Sequence, residues 1–326
     1  MNTRPLDTLD IIGVDIAKHK FDAALDGKQV LTLSNSPEGF DKLLAALEDC
    51  QSACVVMEAT GGYEQALAGF LLAQGIAVAV LNAKLVRDFA KSIGRYAKND
   101  RIDAQVIRQY GRFAAAQGCL GLCGARSEAA QRIEALLKRR DQLVGQRAIE
   151  KQHLENVVDP DAIGSIKRAI EWLDEETGAI GNKIKNHLKA LDDKELNNKI
   201  NRLTEVKGIG ELTALLLVFW LPELGQLSNK EIAALAGLAP FSRDSGKKSG
   251  RRAIFGGRAR VRSALYMAVL SATRYNTPIK TFYKRLLAGG KCKKLALTAC
   301  MRKLLVILNA ITKKQCQWNP EHLKTV

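Results

Sequence analysis

Two carboxylates stand three residues apart at Asp100 and Asp103, within the segment Lys98–Ala104. They fall at the predicted start of a helix, where a three-residue step places both on one helical face. Neighbouring carboxylates repel each other unless a cation lies between them, and such pairs commonly bind a divalent ion through their oxygen atoms. The alternative is an acidic first turn favoured by the helix dipole, with Arg101 as a surface partner. These residues alone leave both interpretations open.

Two more acidic residues are predicted at the ends of β-strands. Asp15 ends the first predicted strand, and Glu58 ends the strand from Ala53 to Met57. Functional sites in α/β proteins form at the ends of strands. Asp15, Glu58 and the pair Asp100/Asp103 together would therefore provide the carboxylates that two-metal phosphoryl transfer needs. Taken singly, Asp15 is also typical of a strand-terminating turn, and Glu58 of a helix start beside Thr60.

The elements that would position these carboxylates form an α/β domain, which we place at residues 1–120. A strand near residues 9–16 is followed by strands at 21–25 and 29–33, and Asp26-Gly27 is a strong hairpin signal between the last two. The predicted elements that follow are a helix at 37–48, a strand at 53–57, a helix to 74, a strand at 76–81, and helices at 83–92 and 100–116. This order predicts a mixed sheet with helices on its faces.

Residues 125–200 have the pattern of long antiparallel helices or a coiled coil. Apolar residues recur at helical spacing with Glu and Lys between them, and Asp159-Pro160 with Gly164 separates two arms. The segment is either a spacer or a dimerisation element. We favour dimerisation, because a protruding helical hairpin needs a surface that buries its apolar seam.

Residues 201–326 are predicted to form a helical domain. Ser228-Asn229-Lys230-Glu231 is a capping box that opens a helix. Gly208 and Gly210 lie between helical stretches and resemble the turn of a helix-hairpin-helix element, where backbone N–H groups approach a phosphate. A plain helix-capping turn explains the same two glycines.

The distribution of charge indicates nucleic acid as the partner. The formal net charge is +16, yet residues 1–124 carry 13 Lys and Arg against 14 Asp and Glu, and residues 125–239 carry 17 against 18. Residues 240–326 carry 20 against 2. A solvated basic face explains a few of these charges, but so one-sided a segment is typical of a surface that meets phosphates.

Composition argues against several other classes of protein. Hydrophobic content of 47% and charged content of 26% are typical of a globular chain. The longest apolar run, Leu212–Leu221, is too short to span a bilayer, and the N-terminus lacks a signal-peptide core, so we expect a cytoplasmic protein without a membrane partner. Seven scattered cysteines disfavour a disulfide framework, and the C-x3-C pairs Cys50/Cys54 and Cys119/Cys123 lack further zinc ligands nearby.

A loop rich in Gly, Ser and basic residues spans residues 237–252. It is either a flexible phosphate-binding loop or the site of a nucleophile, since a serine hydroxyl beside Gly246, with cations around it, suits covalent attack on a phosphodiester. No histidine lies near, which disfavours a Ser-His-Asp hydrolase. The basic residues expected to hold phosphates here are Lys247, Lys248, Arg251, Arg252, Arg258, Arg260 and Arg262.

Five segments, in order, resemble the DEDD-type transposases of insertion sequence family 110, which include the pilin-gene invertases. The segments are Gly13–Lys18, Glu58–Tyr63, Lys98–Ala104, Gly208–Gly210, and Ala236–Pro240 leading to Asp244-Ser245-Gly246. Each is short, but five in order over nearly the whole chain are specific. Asn99 stands where the family usually has Thr, which is also polar and of similar size.

The resemblance implies a RuvC-like, ribonuclease-H-type domain followed by a helical transposase domain. It implies a magnesium site, in which Mn²⁺ can substitute, and a serine that attacks DNA to form a phosphoserine linkage. It also implies a structured guide RNA, encoded by the element, that pairs with target and donor DNA. The residues that match are Asp15, Glu58, Asp100 and Asp103 for the metal and Ser245 for the nucleophile, with Ser242 and Ser249 as neighbouring alternatives.

We therefore expect a transposase or site-specific DNA recombinase that acts on donor and target DNA, associated with the nucleoid while it acts. Strand exchange needs several cuts at once, so we expect a homo-oligomer, a dimer or tetramer, whose metal and serine domains can come from different protomers. One alternative is a magnesium-dependent, structure-selective endonuclease of the junction-resolving kind, with water as nucleophile. Another is a nucleic-acid-binding protein without catalysis.

Overall fold

The structure of the protein is a computed structural model that divides into two compact units, Met1–Glu128 (unit 1) and Ala129–Val326 (unit 2). It describes residues 5, 8–25, 29–47, 49–95, 100–124, 127–191, 193–241, 250 and 252–319, and of residues 100 and 101 the backbone alone.

Unit 1 is built on a five-stranded mixed sheet in the order β3-β2-β1-β4-β5. Strands β1 (Asp10–Ile16), β2 (Lys20–Ala24) and β3 (Val30–Ser34) are antiparallel neighbours, whereas β4 (Ala53–Glu58) and β5 (Ala77–Leu81) run parallel to β1. The mixed sheet predicted from the sequence is confirmed. The hairpin signal Asp26-Gly27 lies outside the described residues.

Four helices cover the two faces of this sheet: α1 (Pro37–Ala45), α2 (Glu64–Ala73), α3 (Ala83–Ser92) and α4 (Asp100–Ala116). Helices α1 and α2 contribute to one buried apolar cluster with alternate residues of the strands, and α3 and α4 contribute to a second cluster with the other residues. Because successive residues of a strand face opposite sides, β1, β4 and β5 supply both cores, whereas β2 and β3 supply the first alone.

Unit 2 begins with two long helices, α5 (Glu128–Asn156) and α6 (Pro160–Ala190), joined by residues 157–159. Asp159 caps α6 by accepting a hydrogen bond from the N–H of Ala162 at 2.9 Å. An ion pair between Arg147 and Asp174 links the two helices. The long helices are confirmed, while the supercoil, the dimerisation and the domain limits at 125–200 and 201–326 stay predictions.

In the described part of unit 2, the elements that follow are helices and one short ribbon. These elements are α7 (Lys194–Thr204), α8 (Glu211–Trp220), α9 (Asn229–Leu235), β6 (Pro240–Phe241), β7 (Ala253–Ile254), α10 (Ala259–Tyr275), α11 (Thr277–Ala288) and α12 (Lys293–Lys314). The predicted capping box of Ser228 and Glu231 is formed at the start of α9. Residues from α5 to α12 share one apolar core.

Helix α12 is long and apolar enough to cross a membrane by length and composition. Its residues Leu304, Leu305 and Leu308 are completely buried in the core of unit 2. Burial of this kind is what a central core helix requires, and it accounts for the apolar composition of α12.

Candidate functional site

Asp15 and Glu58 lie side by side on one face of the sheet in unit 1. Strands β1 and β4 are parallel, and the last residues paired in their register are Val14 and Met57. Asp15 and Glu58 each follow by one residue, so they are neighbours at the carboxyl ends of the two strands. Both are half-buried, and both have an interaction partner.

Helix α4 covers the face of the sheet that carries Asp15. A Cβ built on Gly111, in the second half of the helix, would lie 2.9 Å from a side-chain carbon of Ile11. A Cβ built on Gly13 would collide with the carbonyl oxygen of Ala104, nearer the start of the helix. The helix therefore runs antiparallel to β1 and lies directly against it.

The first turn of α4 consequently lies toward the carboxyl end of β1. Asp100 precedes Ala104 by about 6 Å of helix, and Asp15 follows Gly13 by about 7 Å of strand. The structure thus brings Asp103 and the backbone of Asp100 to the end of the sheet where Asp15 lies. The side chain of Asp100 is outside the described part of the chain.

Arg108 fixes α4 in this position. Its side chain is buried, and its Nε donates a hydrogen bond to the carbonyl oxygen of Ile11 at 2.7 Å. Its Nη2 lies 3.6 Å from a carboxylate oxygen of Asp10. A buried guanidinium needs such partners, so a shift of the helix along β1 would leave the charge unsatisfied.

Among the side chains that the structure describes, no three acidic, histidine or cysteine groups lie close enough together to hold a metal ion. Asp100 is not one of those side chains, and Asp15, Glu58 and Asp103 each have an interaction partner. Carboxylates repel one another, so we expect their oxygens to converge to ligand distance only around a cation. The metal assignment stays a prediction.

Glu64 organises the segment that follows Glu58. Its Oε2 accepts hydrogen bonds from Thr60 Oγ1 at 2.8 Å, from the N–H of Gly62 at 2.9 Å and from the N–H of Thr60 at 3.2 Å. Gly61 and Gly62 have φ values of +85° and +137°, which favour glycine. Burial raises the pKa of Glu64, but the hydrogen bonds from its own backbone, Thr60 and Gly62 outweigh burial and bring that pKa below its ordinary value.

The predicted serine loop is bracketed by the two short strands β6 and β7. Pro240 pairs with Ile254 and Phe241 with Ala253, in antiparallel register. Arg252 is exposed. Residues 242–249 and 251 lie outside the described part of the chain, among them Ser242, Ser245, Lys247, Lys248, Ser249 and Arg251.

The two ends of the loop segment are held together at its base. Gly237 and Gly257 have φ values of +69° and +67°, and a Cβ on either would collide with the backbone of the other segment. Arg262, predicted to hold a phosphate, donates hydrogen bonds to the carbonyl oxygens of Gly256 and Ala236 instead. The base of the loop therefore has a fixed geometry, and phosphate binding by Arg262 stays a prediction.

Arg258 and Arg260, also predicted to hold phosphates, make contacts within unit 2. Arg258 forms two hydrogen bonds of 2.6 Å with the carboxylate of Glu223 and one of 3.0 Å with the carbonyl oxygen of Trp220. The guanidinium of Arg260 lies 5.3 Å from the centre of a Trp220 ring, and its Nε is 4.0 Å from Asp141. Both have structural partners that the sequence did not indicate, and phosphate binding stays a prediction.

Gly208 and Gly210 have different surroundings in the turn between α7 and α8. Gly208 has a φ of +104°, and a Cβ on it would lie 2.7 Å from the Cβ of Ala272 in α10. Asn276 Nδ2 donates to the carbonyl oxygen of Lys207 at 3.1 Å, which fastens the same turn. Gly210 caps α8 and has open space beside it. Helix packing explains Gly208, and a phosphate contact at either glycine stays a prediction.

Sequence reasoning missed two residues of this region, Asp22 and Glu64. Asp22 is 2% exposed and stands directly opposite Asp15 in the register of β1 and β2. A charged residue within the otherwise apolar run Phe21–Ala24 was the signal that could have identified it. Glu64 carried no comparable signal, because an acidic residue in a first helical turn is common.

An α/β unit with acidic residues at its strand ends, together with a helical unit that carries the basic excess, is typical of an enzyme acting on nucleic acid. Comparison with known proteins makes this specific. A DEDD-type IS110 family model described as "Transposase" matches residues 12–160, and the model "Transposase IS116/IS110/IS902 family" matches residues 200–284.

Curated relatives extend the match over almost the whole chain. The pilin gene-inverting protein of Moraxella bovis is 30% identical, with 93% of this chain and 95% of that protein covered. The pilin gene-inverting protein of Moraxella lacunata has the same identity and coverage. The transposase for insertion sequence element IS1111A of Coxiella burnetii is 26% identical, with 75% of this chain and 72% of that protein covered. The chain belongs to the IS110 family of transposases, as its sequence motifs predicted, and it is an enzyme that recombines DNA.

Proposed function

We propose that the protein cuts and rejoins DNA through a serine–DNA phosphodiester intermediate, assisted by a magnesium site at Asp15, Glu58, Asp100 and Asp103. The observation that carries the proposal is the position of the first turn of α4 toward the carboxyl end of β1, where Asp15 and Glu58 are neighbours. The mixed sheet, with three antiparallel strands followed by two parallel ones, supports the ribonuclease-H-type assignment that the resemblance implies.

The donor set of this site fits magnesium. Carboxylate oxygens are the ligands that Mg²⁺ prefers, and Mn²⁺ accepts the same hard donors. Gly13 lets the backbone of α4 lie against β1, which favours the approach of the helical carboxylates to Asp15. When bound, the ion supplies polarisation of the phosphate and a lower pKa for the attacking hydroxyl.

The nucleophile in this proposal is the hydroxyl of Ser245. Its Oγ forms a bond to phosphorus while the bond between phosphorus and one sugar oxygen breaks, and the hydroxyl proton ends on that sugar oxygen. Attack by a sugar hydroxyl on the same phosphorus reverses the step and rejoins the strand. Basic residues of the loop balance the charge that develops on the phosphate; they are Lys247, Lys248, Arg251 and Arg252.

The names of the relatives describe inversion of a pilin gene and transposition of an insertion sequence. For this chain we propose rearrangement of a mobile element with donor and target DNA, guided by an element-encoded RNA, in a dimer or tetramer with composite sites. Exposed apolar side chains in the half of the α5–α6 hairpin nearest its turn support assembly: Ile149 is 53% exposed, Trp172 54% and Val158 91%.

The covalent intermediate is the direct test of this function. Purified protein is incubated with Mg²⁺ and DNA that carries the ends of the element, then denatured and separated by gel electrophoresis. We expect a protein–DNA species that survives denaturation and disappears in Ser245→Ala. Ser242→Ala and Ser249→Ala are the matched controls, and both should retain it.

Two other results would replace the proposal. Free DNA ends together with an active Ser245→Ala enzyme would indicate an endonuclease that uses water as nucleophile. An Asp103→Ala protein that recombines DNA as well as the wild type would remove the metal site from the mechanism. We expect Asp103→Ala to bind DNA but to form no covalent species.

A further inference from the structure

Asp22 is a buried carboxylate directly beside the proposed metal site. Alternate residues of β2, Phe21 and Ala23, lie in the apolar cluster on the other face of the sheet, so Asp22 shares the face that α4 covers. In the register of β1 and β2, Asp22 stands opposite Asp15, and Thr32 of β3 stands opposite Asp22. A polar row therefore crosses this face at the level of Asp15.

The contacts of Asp22 compensate little for its burial. Its side chain is 3% exposed, whereas the side chain of Lys20, whose Nζ lies 4.0 Å from Asp22 Oδ2, is 52% exposed. The hydroxyl of Thr32 donates a hydrogen bond to Asp22 Oδ1. Removing a carboxylate from water costs free energy. A hydrogen bond from one hydroxyl and an ion pair with one solvated ammonium 4.0 Å away offset a small part of that free energy.

The position of Asp22 opposite Asp15 adds a second unfavourable interaction. Residues directly opposite on antiparallel strands have Cβ atoms about 5 Å apart, and like charges at such positions destabilise a sheet. A divalent cation at Asp15 makes the net electrostatic energy of the two carboxylates favourable, because each is then attracted to the ion more strongly than it is repelled by its neighbour.

We infer that Asp22 is a further carboxylate of the metal site, a positioning residue that acts through Asp15 and raises the affinity of the site for a divalent cation. The inference rests on the proposed metal site. Asp22 supplies negative charge on the side of Asp15 away from Glu58, and the Thr32 hydroxyl keeps that charge in one orientation. Asparagine in this position would accept the same hydrogen bond, so the charge is the property that serves the cation.

The test is a calorimetric titration of the full-length protein with Mn²⁺, without DNA, with the thermal unfolding of the metal-free proteins measured in parallel. We expect Asp22→Asn to weaken Mn²⁺ binding about tenfold. The metal-free melting temperature should stay the same or rise, because a repulsion is removed. Asp15→Asn should abolish binding. Asp41→Asn, at an exposed position of α1 on the opposite face of the sheet, is the matched control and should leave the dissociation constant unchanged.

A second variant tests the same charge without changing Asp22. Lys20→Met removes the ammonium beside Asp22 from an exposed position, and we expect Mn²⁺ to bind severalfold more tightly. Lys42→Met removes one positive charge from α1, which covers the opposite face of the sheet, and should have no such effect.

The outcomes separate this inference from the proposed function. If Asp22→Asn lowers the metal-free melting temperature but binds Mn²⁺ like the wild type, Asp22 has a structural role alone and the inference is wrong. In that case a loss of binding in Asp15→Asn still supports the metal site. If Asp15→Asn and Glu58→Gln both bind Mn²⁺ as tightly as the wild type, the proposed site fails and the inference fails with it.

Discussion

Gly13 determines how closely the carboxylates of the helix approach those of the sheet. It has no side chain where the backbone of α4 crosses β1, so the carbonyl oxygen of Ala104 occupies the space that a Cβ would fill. We expect any larger residue to push the helix off the strand and to move the first turn of α4 away from Asp15 with it. A small residue in the core thus has a direct consequence for the site.

We predict that Gly13→Ala lowers the free energy of unfolding by about 1–3 kcal/mol, because the collision involves backbone atoms that cannot rotate away. Urea denaturation measures this loss, and titration with Mn²⁺ should show weaker binding. Gly69→Ala in α2 is the control: nothing lies within 4 Å of its Cβ position, so helix propensity should leave stability unchanged or raise it by about 0.5–1 kcal/mol. Equal stability of Gly13→Ala and the wild type would contradict the close approach.

Sequence patterns could place Asp15 and Glu58 but not Asp22 or Arg258. The first two end apolar runs, and the end of a strand is visible in the sequence itself. The role of Asp22 depends on which residues stand opposite it on two other strands. The sequence of a single strand does not determine this pairing register. Arg258 was predicted to bind phosphate because of its basic neighbours, whereas the structure pairs it with Glu223, 35 residues away.

At the scale of elements, the segment between β4 and α2 holds the end of β4 in place. Glu64 is the first residue of α2, and its carboxylate closes back on Thr60 and Gly62. Three donors on one carboxylate oxygen favour the ionised form, which is why the pKa of Glu64 is low despite burial. Acid should therefore loosen the segment that follows Glu58.

We predict that Glu64→Gln lowers the free energy of unfolding at pH 7 by about 1–2 kcal/mol. The folded-state pKa of Glu64 lies below its unfolded-state pKa, so its contribution is present above the unfolded value and is lost as the pH falls through the folded value. The difference in stability between variant and wild type should be constant from about pH 6 to 8 and should shrink as the pH falls below the ordinary Glu value of about 4.3. Denaturant titrations across this range measure it, and a gap that persists at low pH would contradict the assignment.

Glu38→Gln serves as the control for this pH dependence. Glu38 is an exposed residue in the first turn of α1, and its pKa is lowered chiefly by a hydrogen bond with Ser36. Because solvent screens this group, we expect a smaller effect on stability than for Glu64.

The elements of unit 1 could be predicted from periodicity, but the ribbon of β6 and β7 could not. Each of these strands has two residues, which is too short for an alternating pattern to be recognised. The base of the loop that the ribbon brackets depends on contacts between Gly237 and Gly257, which are twenty residues apart in the chain. The composition of this segment indicated a loop, and the structure adds that the two ends of the loop are fixed.

At the scale of the whole molecule, the carboxylates of the proposed metal site and the excess of Lys and Arg residues belong to different units. The proposed metal site lies in unit 1, where Lys and Arg nearly balance Asp and Glu, and the basic excess lies within unit 2. Contacts to phosphates release counterions, so DNA affinity should fall linearly with the logarithm of salt concentration. Each basic side chain contributes to this slope only if it touches a phosphate in the complex.

We predict that Arg252→Ala and Arg258→Ala, which remove the same charge, have different effects on DNA binding. Arg252 is exposed beside the loop, so its loss should reduce the salt slope by about 1, whereas Arg258 is paired with Glu223 and its loss should leave the slope unchanged. Arg258→Ala should instead lower the melting temperature, because Glu223 loses the two hydrogen bonds that Arg258 donates. Fluorescence anisotropy at several salt concentrations and thermal unfolding measure the two effects. A slope reduced equally by both variants would show that Arg258 leaves Glu223 to bind a phosphate.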